Sequence, residues 1–226
     1  MSESAPISAR VTTGKSDQPG VWLPFPATKD TVQSVLRPLG DGPFMAEEYA
    51  CRITGLERLL PTAIDLNELN FLADRLAHLD AAGESVLEAV LASNAKPDTV
   101  CDLINLCANT DCFELYPHIR NPFDLGISRI SEAHAGITEL VQVRQDTANG
   151  PILSGYLSLL EEHFDYAAYG RVVAKEEGGI FTQYGYLCRN PENMFLPVYD
   201  GTYVPQGKQV LDAPVPRRES SFAKAI

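Results

Sequence analysis

Long apolar runs are missing from this sequence of 226 residues. No stretch approaches the roughly 18 consecutive apolar residues that a membrane-spanning helix needs, so no span and no membrane partner are expected. The start, MSESAPISAR, has neither a basic segment nor an apolar run after it, so no secretory signal is expected. Basic charge is scarce as well. There are 18 Lys and Arg against 30 Asp and Glu, a formal net charge of −12. Direct binding to nucleic acid is disfavoured, because that affinity comes from neutralising phosphates. Cysteine offers little: Cys101, Cys107 and Cys112 are not spaced as a zinc site. An odd number of thiols in a chain with no secretion signal points to reduced cysteines and a cytoplasmic location. Nucleophile-elbow, phosphate-loop and zinc-protease motifs are absent, and His78, His118, His134 and His163 are scattered. Neither a cofactor nor a catalytic or metal site is expected.

What is present reads as an α+β protein. Ile7 to Val11 has strand character, and Gly20 to Pro26 reads as a second strand kept to an edge or end by Pro24 and Pro26. Thr28 is placed to cap a short helix from Lys29 to about Arg37, and Glu48 to Ile53 reads as a further strand. Asp65 and Glu68 follow capping-box logic, and Leu66, Leu69, Leu72, Leu76 and Leu79 fall at helical spacing. That spacing predicts Glu68 and Asp74 on the wet side. Ser85 with Glu88 predicts a second helix start, and Pro97-Asp98 a third, with Asp98 and Asp102 pointing the same way. Cys112 to Tyr116 alternates like a strand. Asp124 to Ala133 reads as a helix, Leu153 to Tyr169 as a helix interrupted by Gly170, and Gly179 to Cys188 as a hairpin. The expected blocks are 1–63, small α+β; 64–109, helical; 110–188, α+β; and 189–226, a tail containing proline and glycine with little core of its own.

Acidity is concentrated in the middle. Between Asp41 and Glu177 there are 23 Asp and Glu and 9 Lys and Arg, a net −14, while the flanks sum to +2. Such a middle favours a basic partner. The densest group, Glu161-Glu162-His163-Phe164-Asp165, invites an acid/base or metal reading. Adjacent helical residues diverge by about 100° each, however, so they do not aim at one ion. The single tryptophan, Trp22, sits with Phe25 among prolines and reads as packing. Tyr156, Phe164, Tyr166 and Tyr169 read as core or self-association.

Three segments together resemble the ArdA-type antirestriction family. Gly20-Val-Trp-Leu-Pro-Phe-Pro26, a short helix and Glu47-Glu48-Tyr49 resemble its opening domain. Asp65-Leu-Asn-Glu-Leu-Asn70 resembles the start of its helical middle domain. His163-Phe-Asp-Tyr-Ala-Ala-Tyr-Gly-Arg171, with Gly178-Gly-Ile-Phe181 and Gly185-Tyr186, is similar to its C-terminal antirestriction motif and hairpin. The stretch from Asp102-Leu-Ile-Asn105 through Asp111-Cys112 to Tyr116-Pro117 is similar to a Gram-positive branch. The resemblance covers residues 6 to 188. It implies an elongated protein of three small domains that dimerises through the last. It also implies a DNA mimic that fills the DNA groove of type I restriction-modification enzymes and protects mobile DNA. Tyr156, Phe164, Tyr166, Ala167, Tyr169 and Gly170 would then lie at or beside a dimer contact. The mimic face would comprise Glu47, Glu48, Asp65, Glu68, Asp74, Glu88, Asp98, Asp102, Asp111, Glu114, Asp124, Glu161, Glu162, Asp165, Glu176 and Glu177.

Duplex DNA carries one charge per roughly 1.7 Å of axis, so a net −14 corresponds to about 24 Å of duplex. One helix with a carboxylate per turn supplies only about one charge per 5.4 Å, so several elements must contribute. Two other readings stand beside this one. The first is a non-enzymatic adaptor, or an inhibitor of another nuclease-based defence system such as CRISPR. The second is an enzyme using the Glu161 to Asp165 cluster.

Overall fold

Alternation of apolar residues builds the first sheet. In the computed structural model, Ile7, Ala9 and Val11 of β1 (Ile7–Thr12) point into the core, as do Leu23 and Phe25 of β2 (Val21–Phe25). β1 lies between β2 and β3 (Met45–Cys51), antiparallel to both, with a register shift at Arg10/Val11 on the β3 side. The same alternation turns Trp22 outward. It is half exposed, not packed as its proline-rich setting suggested. The structure describes residues 5–13, 19–40, 43–62, 64–94, 96–143 and 163–212, with side chains not described for 134–143. The expectations for Tyr156, Glu161 and Glu162 lie outside these residues.

Helix α1 (Lys29–Leu36) starts where expected, because Thr28 accepts the N–H of Thr31 and Val32 and Leu36 face inward. Helix α2 (Leu66–Ala77) begins at Asp65, whose carboxylate accepts the N–H groups of Asn67 and Glu68. Two helix starts differ from expectation. Helix α3 (Ala81–Leu91) opens at Asp80, and the Ser85 hydroxyl bonds back to the Ala81 carbonyl from inside the helix. Asp80 offers a carboxylate one turn earlier, so Ser85 is left as an interior residue. Helix α4 (Val100–Cys107) opens at Thr99, not Pro97-Asp98, because Thr99 and Asp102 complete a reciprocal capping box.

The described chain forms two compact units. One holds residues up to Phe113 together with those from Asn190 onward; the other runs from Glu114 to Arg189. The expected 1–63 and 64–109 blocks thus share a unit, tied by the Ala27 N–H to Asn70 Oδ1 (2.8 Å). Residues 190–212 join it. The expected coreless tail buries Tyr199, Val204 and Val210 there.

In the second unit the strand order is β4 (Phe113–Tyr116), β6 (Gly185–Arg189), β5 (Ile180–Thr182). Ile119, Leu125, Val173, Ala174, Tyr186 and Cys188 form its core. Helix α5 (Pro122–Val143) outruns the expected Asp124 to Ala133; Pro122 at its first position needs no N–H partner. Helix α6 (Tyr166–Glu176) is capped by Asp165, which accepts the N–H of Ala168. Gly170 does not interrupt a helix. It lies buried inside α6 where α5 crosses, and an added Cβ would overlap the Pro122 carbonyl. Gly126 of α5 faces the Tyr166 carbonyl in the same way. This crossing needs two residues without Cβ.

Candidate acidic interaction surface

The carboxylates expected on one outer face fall into three groups. Glu68 and Asp102 are buried, at 4% and 0% exposure, and present nothing to a partner. Asp102 accepts from the Thr99 N–H (3.1 Å) and hydroxyl (2.7 Å), closing the helix start. The wet side assigned to Glu68 is covered by residues 199–211, which pack over α2 and α4.

A second group is exposed or half-buried but engaged. Glu47 and Glu48 flank Arg10 at 3.2 and 2.6 Å, and Glu47 also accepts from the Thr12 hydroxyl. Asp74 pairs with Lys208 at 2.6 Å. Asp65 caps α2, and burial raises its carboxyl pKa against the opposing pull of the Asn67 and Glu68 N–H groups. Glu88 accepts the Thr54 N–H (3.1 Å). In the second unit Asp124 accepts from Arg120 N and Asn121 Nδ2, and Asp165 caps α6.

Glu177 and Glu114 belong to a polar network that sequence reasoning missed. Arg129 grips Glu177 with two nitrogens, at 2.9 and 3.2 Å, and also reaches Glu132. The Tyr186 hydroxyl donates to the same Glu177 (2.7 Å), and the Arg129 guanidinium lies over the Tyr116 ring at 5.1 Å. Tyr116 donates to Glu114 (2.5 Å), which raises its phenol pKa above the ordinary value, with burial adding to the effect. Burial first, then Glu177, raises that of Tyr186 too. A chain separation of 48 residues hid the Arg129–Glu177 pair.

Asp98, Asp111 and Glu176 form the third group, with exposed carboxylates outside these pairings. Asp111 uses its backbone carbonyl to accept from Asn190 and Asn193.

Aromatic residues gather at the start of α6. Phe164 stands edge-on to Tyr166 and Tyr169 at 5.2 and 5.5 Å, and Tyr166 edge-on to Phe123 at 5.9 Å. Phe123 (51% exposed), Phe164 (38%), Ile127 and Val172 leave apolar surface in solvent. Ala167 is half-buried, and Gly170 serves the helix crossing. The structure therefore brings Phe164, Tyr166 and Tyr169 together, as the sequence suggested.

The buried asparagines Asn67, Asn70, Asn105 and Asn109 were also missed as a set. Their signal was a spacing of three within apolar α2 and of four from within apolar α4 to just past its end. An open cavity of about 560 Å³ beside α1 is lined by Asp30, Gln33, Ser34, Arg37, Phe44 and Leu211, without a nucleophile–base pair. Among the described residues, no group of three His, Cys, Asp or Glu is placed to hold a metal ion, and no helix is long and apolar enough to cross a membrane. No protein-family model and no curated protein matches this chain.

Proposed function

We propose that this protein is a non-enzymatic inhibitor that imitates duplex DNA and fills the basic groove of a DNA-binding defence enzyme, with a type I restriction-modification complex as its target. The observation carrying this reading is the net −14 between Asp41 and Glu177, set beside exposed carboxylates in both units. Glu47, Glu48, Asp98 and Asp111 belong to the first unit, and Asp165 and Glu176 to the second. Glu47 and Glu48 share one arginine and so keep a net negative charge. The buried Glu68 and Asp102 drop out of the mimic face.

Protein-protein attraction of this kind is screened over about 10 Å at 0.1 M salt. The test is competition. Labelled duplex bound to a type I methyltransferase core should be displaced by the full chain at low salt, and less well as salt rises. Absence of displacement at low salt refutes the proposal.

A second reading, an adaptor that binds protein through the aromatic surface, is favoured by the exposure of Phe123 and Phe164. In the leading reading the same surface seats a second copy of the chain. The readings part on Phe164→Ala: an adaptor loses its partner, whereas a mimic keeps a monomer that still competes with DNA.

A further inference from the structure

Asn67 and Asn70 are three residues apart on α2 and share a helix face; Asn105 lies on α4, and Asn109 follows just past its C-terminal end, where its Nδ2 donates to the Asn105 carbonyl (2.7 Å). Their carboxamides bond to the main chain of residues 196–211. Asn109 accepts the Leu196 N–H (2.8 Å) and donates to the Leu196 carbonyl (2.9 Å). Asn105 accepts the N–H groups of Val198 (2.7 Å) and Tyr199 (2.9 Å), and donates to the Tyr199 carbonyl (2.7 Å). Asn67 accepts from Val210 (2.6 Å) and Leu211 (2.7 Å) and donates to the Leu211 carbonyl (3.1 Å). Asn70 donates to the Lys208 carbonyl (2.9 Å).

A carboxamide carries a donor and an acceptor side by side, as a peptide group does. It therefore pairs with an extended chain whatever side chains that chain bears. Three inward residues supply the anchoring: Tyr199, edge-on to Phe71 at 5.6 Å, then Val204 and Val210. Met194, Leu196, Val198 and Tyr203 turn outward, with Met194 75% exposed. Among the described residues this segment joins no sheet, so its departure breaks no strand ladder.

We propose that the asparagine-bearing surface of α2 and of α4 with the residues just after it is a receptor for a polypeptide strap, irregular apart from one 3-10 turn at Gln206–Lys208, that it is occupied within the chain by residues 194–211, and that its ligand in trans is the same segment of a second copy. That segment fits the receptor by identity: every bond and anchor made within one chain is available between two. Exchange of an identical element is a low-cost route to association. It is independent of the aromatic surface of the second unit.

The probe is a fluorescein-labelled synthetic peptide of residues 190–212, added to the full chain. Tyr199→Ala in the protein weakens the resident segment and leaves the receptor intact. The labelled peptide should bind this variant at least tenfold more tightly than it binds wild type. Adding Asn105→Ala and Asn109→Ala to Tyr199→Ala should abolish the binding. Equal affinity for wild type and Tyr199→Ala, indifference to the asparagine changes, or equal binding of a scrambled peptide overturns the proposal. Wild-type hydrogen exchange tests, without any variant, the release of the resident segment that the proposal requires. The amides of Leu196, Tyr199, Val210 and Leu211 should exchange as a set at least tenfold faster than the helical amides of Leu69 and Leu103. A common rate for both sets overturns it.

Discussion

Gly170→Ala puts one methyl group where α5 and α6 cross. The new Cβ would overlap the Pro122 carbonyl and lie 2.9 Å from Gly126 N, both of them backbone atoms of α5. Normal carbon contacts need roughly 3.5 Å, so the helices must part by on the order of 1 Å. Alanine gains about 1 kcal/mol over glycine in helix propensity. Overpacking against an unyielding neighbour costs about 1–3 kcal/mol, and parting the helices also loosens Leu125 and Val173 in the core. Because the overlapped atoms are backbone, the cost falls at the upper end of that range, and the net loss is about 2 kcal/mol, equivalent to a roughly 30-fold increase in opening. Gly83→Ala is the contrast. It is also a buried helical glycine, but its Cβ would meet only side-chain ends, Leu79 Cδ2 and Thr110 Oγ1 at 3.2 Å and Asp80 Oδ1 at 3.3 Å. Those can yield, and the propensity gain of up to about 1 kcal/mol survives. Hydrogen exchange at the Tyr169 and Glu177 amides reads the second unit, while Trp22 fluorescence in urea reads the first. An unchanged second unit in Gly170→Ala, or greater damage from Gly83→Ala, refutes the crossing account.

Arg129→Leu leaves the Glu177 carboxylate beside a partly buried core without its counter-charge, held only by the Tyr186 hydroxyl, and should cost about 2 kcal/mol in urea unfolding. Arg129→Lys should recover only part of that, since an ammonium lacks the planar fork that grips both carboxylate oxygens. Asp65→Ala should cost about 1 kcal/mol through the lost cap, while Asp65→Asn keeps an acceptor and stays near wild type at pH 7. Because burial raises the Asp65 carboxyl pKa, the folded chain holds that proton more tightly than the unfolded one. Its contribution to stability therefore falls as pH rises above the ordinary carboxylate range, and Asp65→Asn should remove that slope. Burial pushes the Cys188 thiol up to about 11 and those of Cys51 and Cys107 up to about 12. Thiol-directed reagents at pH 8 should label the native chain slowly and the unfolded chain fast; rapid native labelling contradicts this.

Features set by neighbours in sequence were legible. Thr28 and Asp65 cap helices because a side-chain oxygen two or three residues before a free N–H needs nothing distant. Ile7, Ala9 and Val11 declare a half-buried strand through alternation alone. Burial of a carboxylate was not legible. At the third helical position Glu68 and Asp102 look alike whether water or another segment covers them, and the segment that covers Glu68 lies far along the chain. The same distance hid the roles of Asn67 and Asn105, whose partners are 144 and 94 residues away. Gly170 read as a breaker because its compensation, the close passage of α5, is tertiary.

In the proposed mimicry, exposed carboxylates stand in for phosphates. That mimicry is tested most directly by titrating labelled duplex on a type I methyltransferase core with wild type and with the Asp98→Asn, Asp111→Asn double variant. Exposed pairs contribute about 0.5 kcal/mol each, so the variant should need roughly fivefold more protein for half displacement at low salt, and the gap should close as salt rises. Equal potency of the two proteins at low salt contradicts the account.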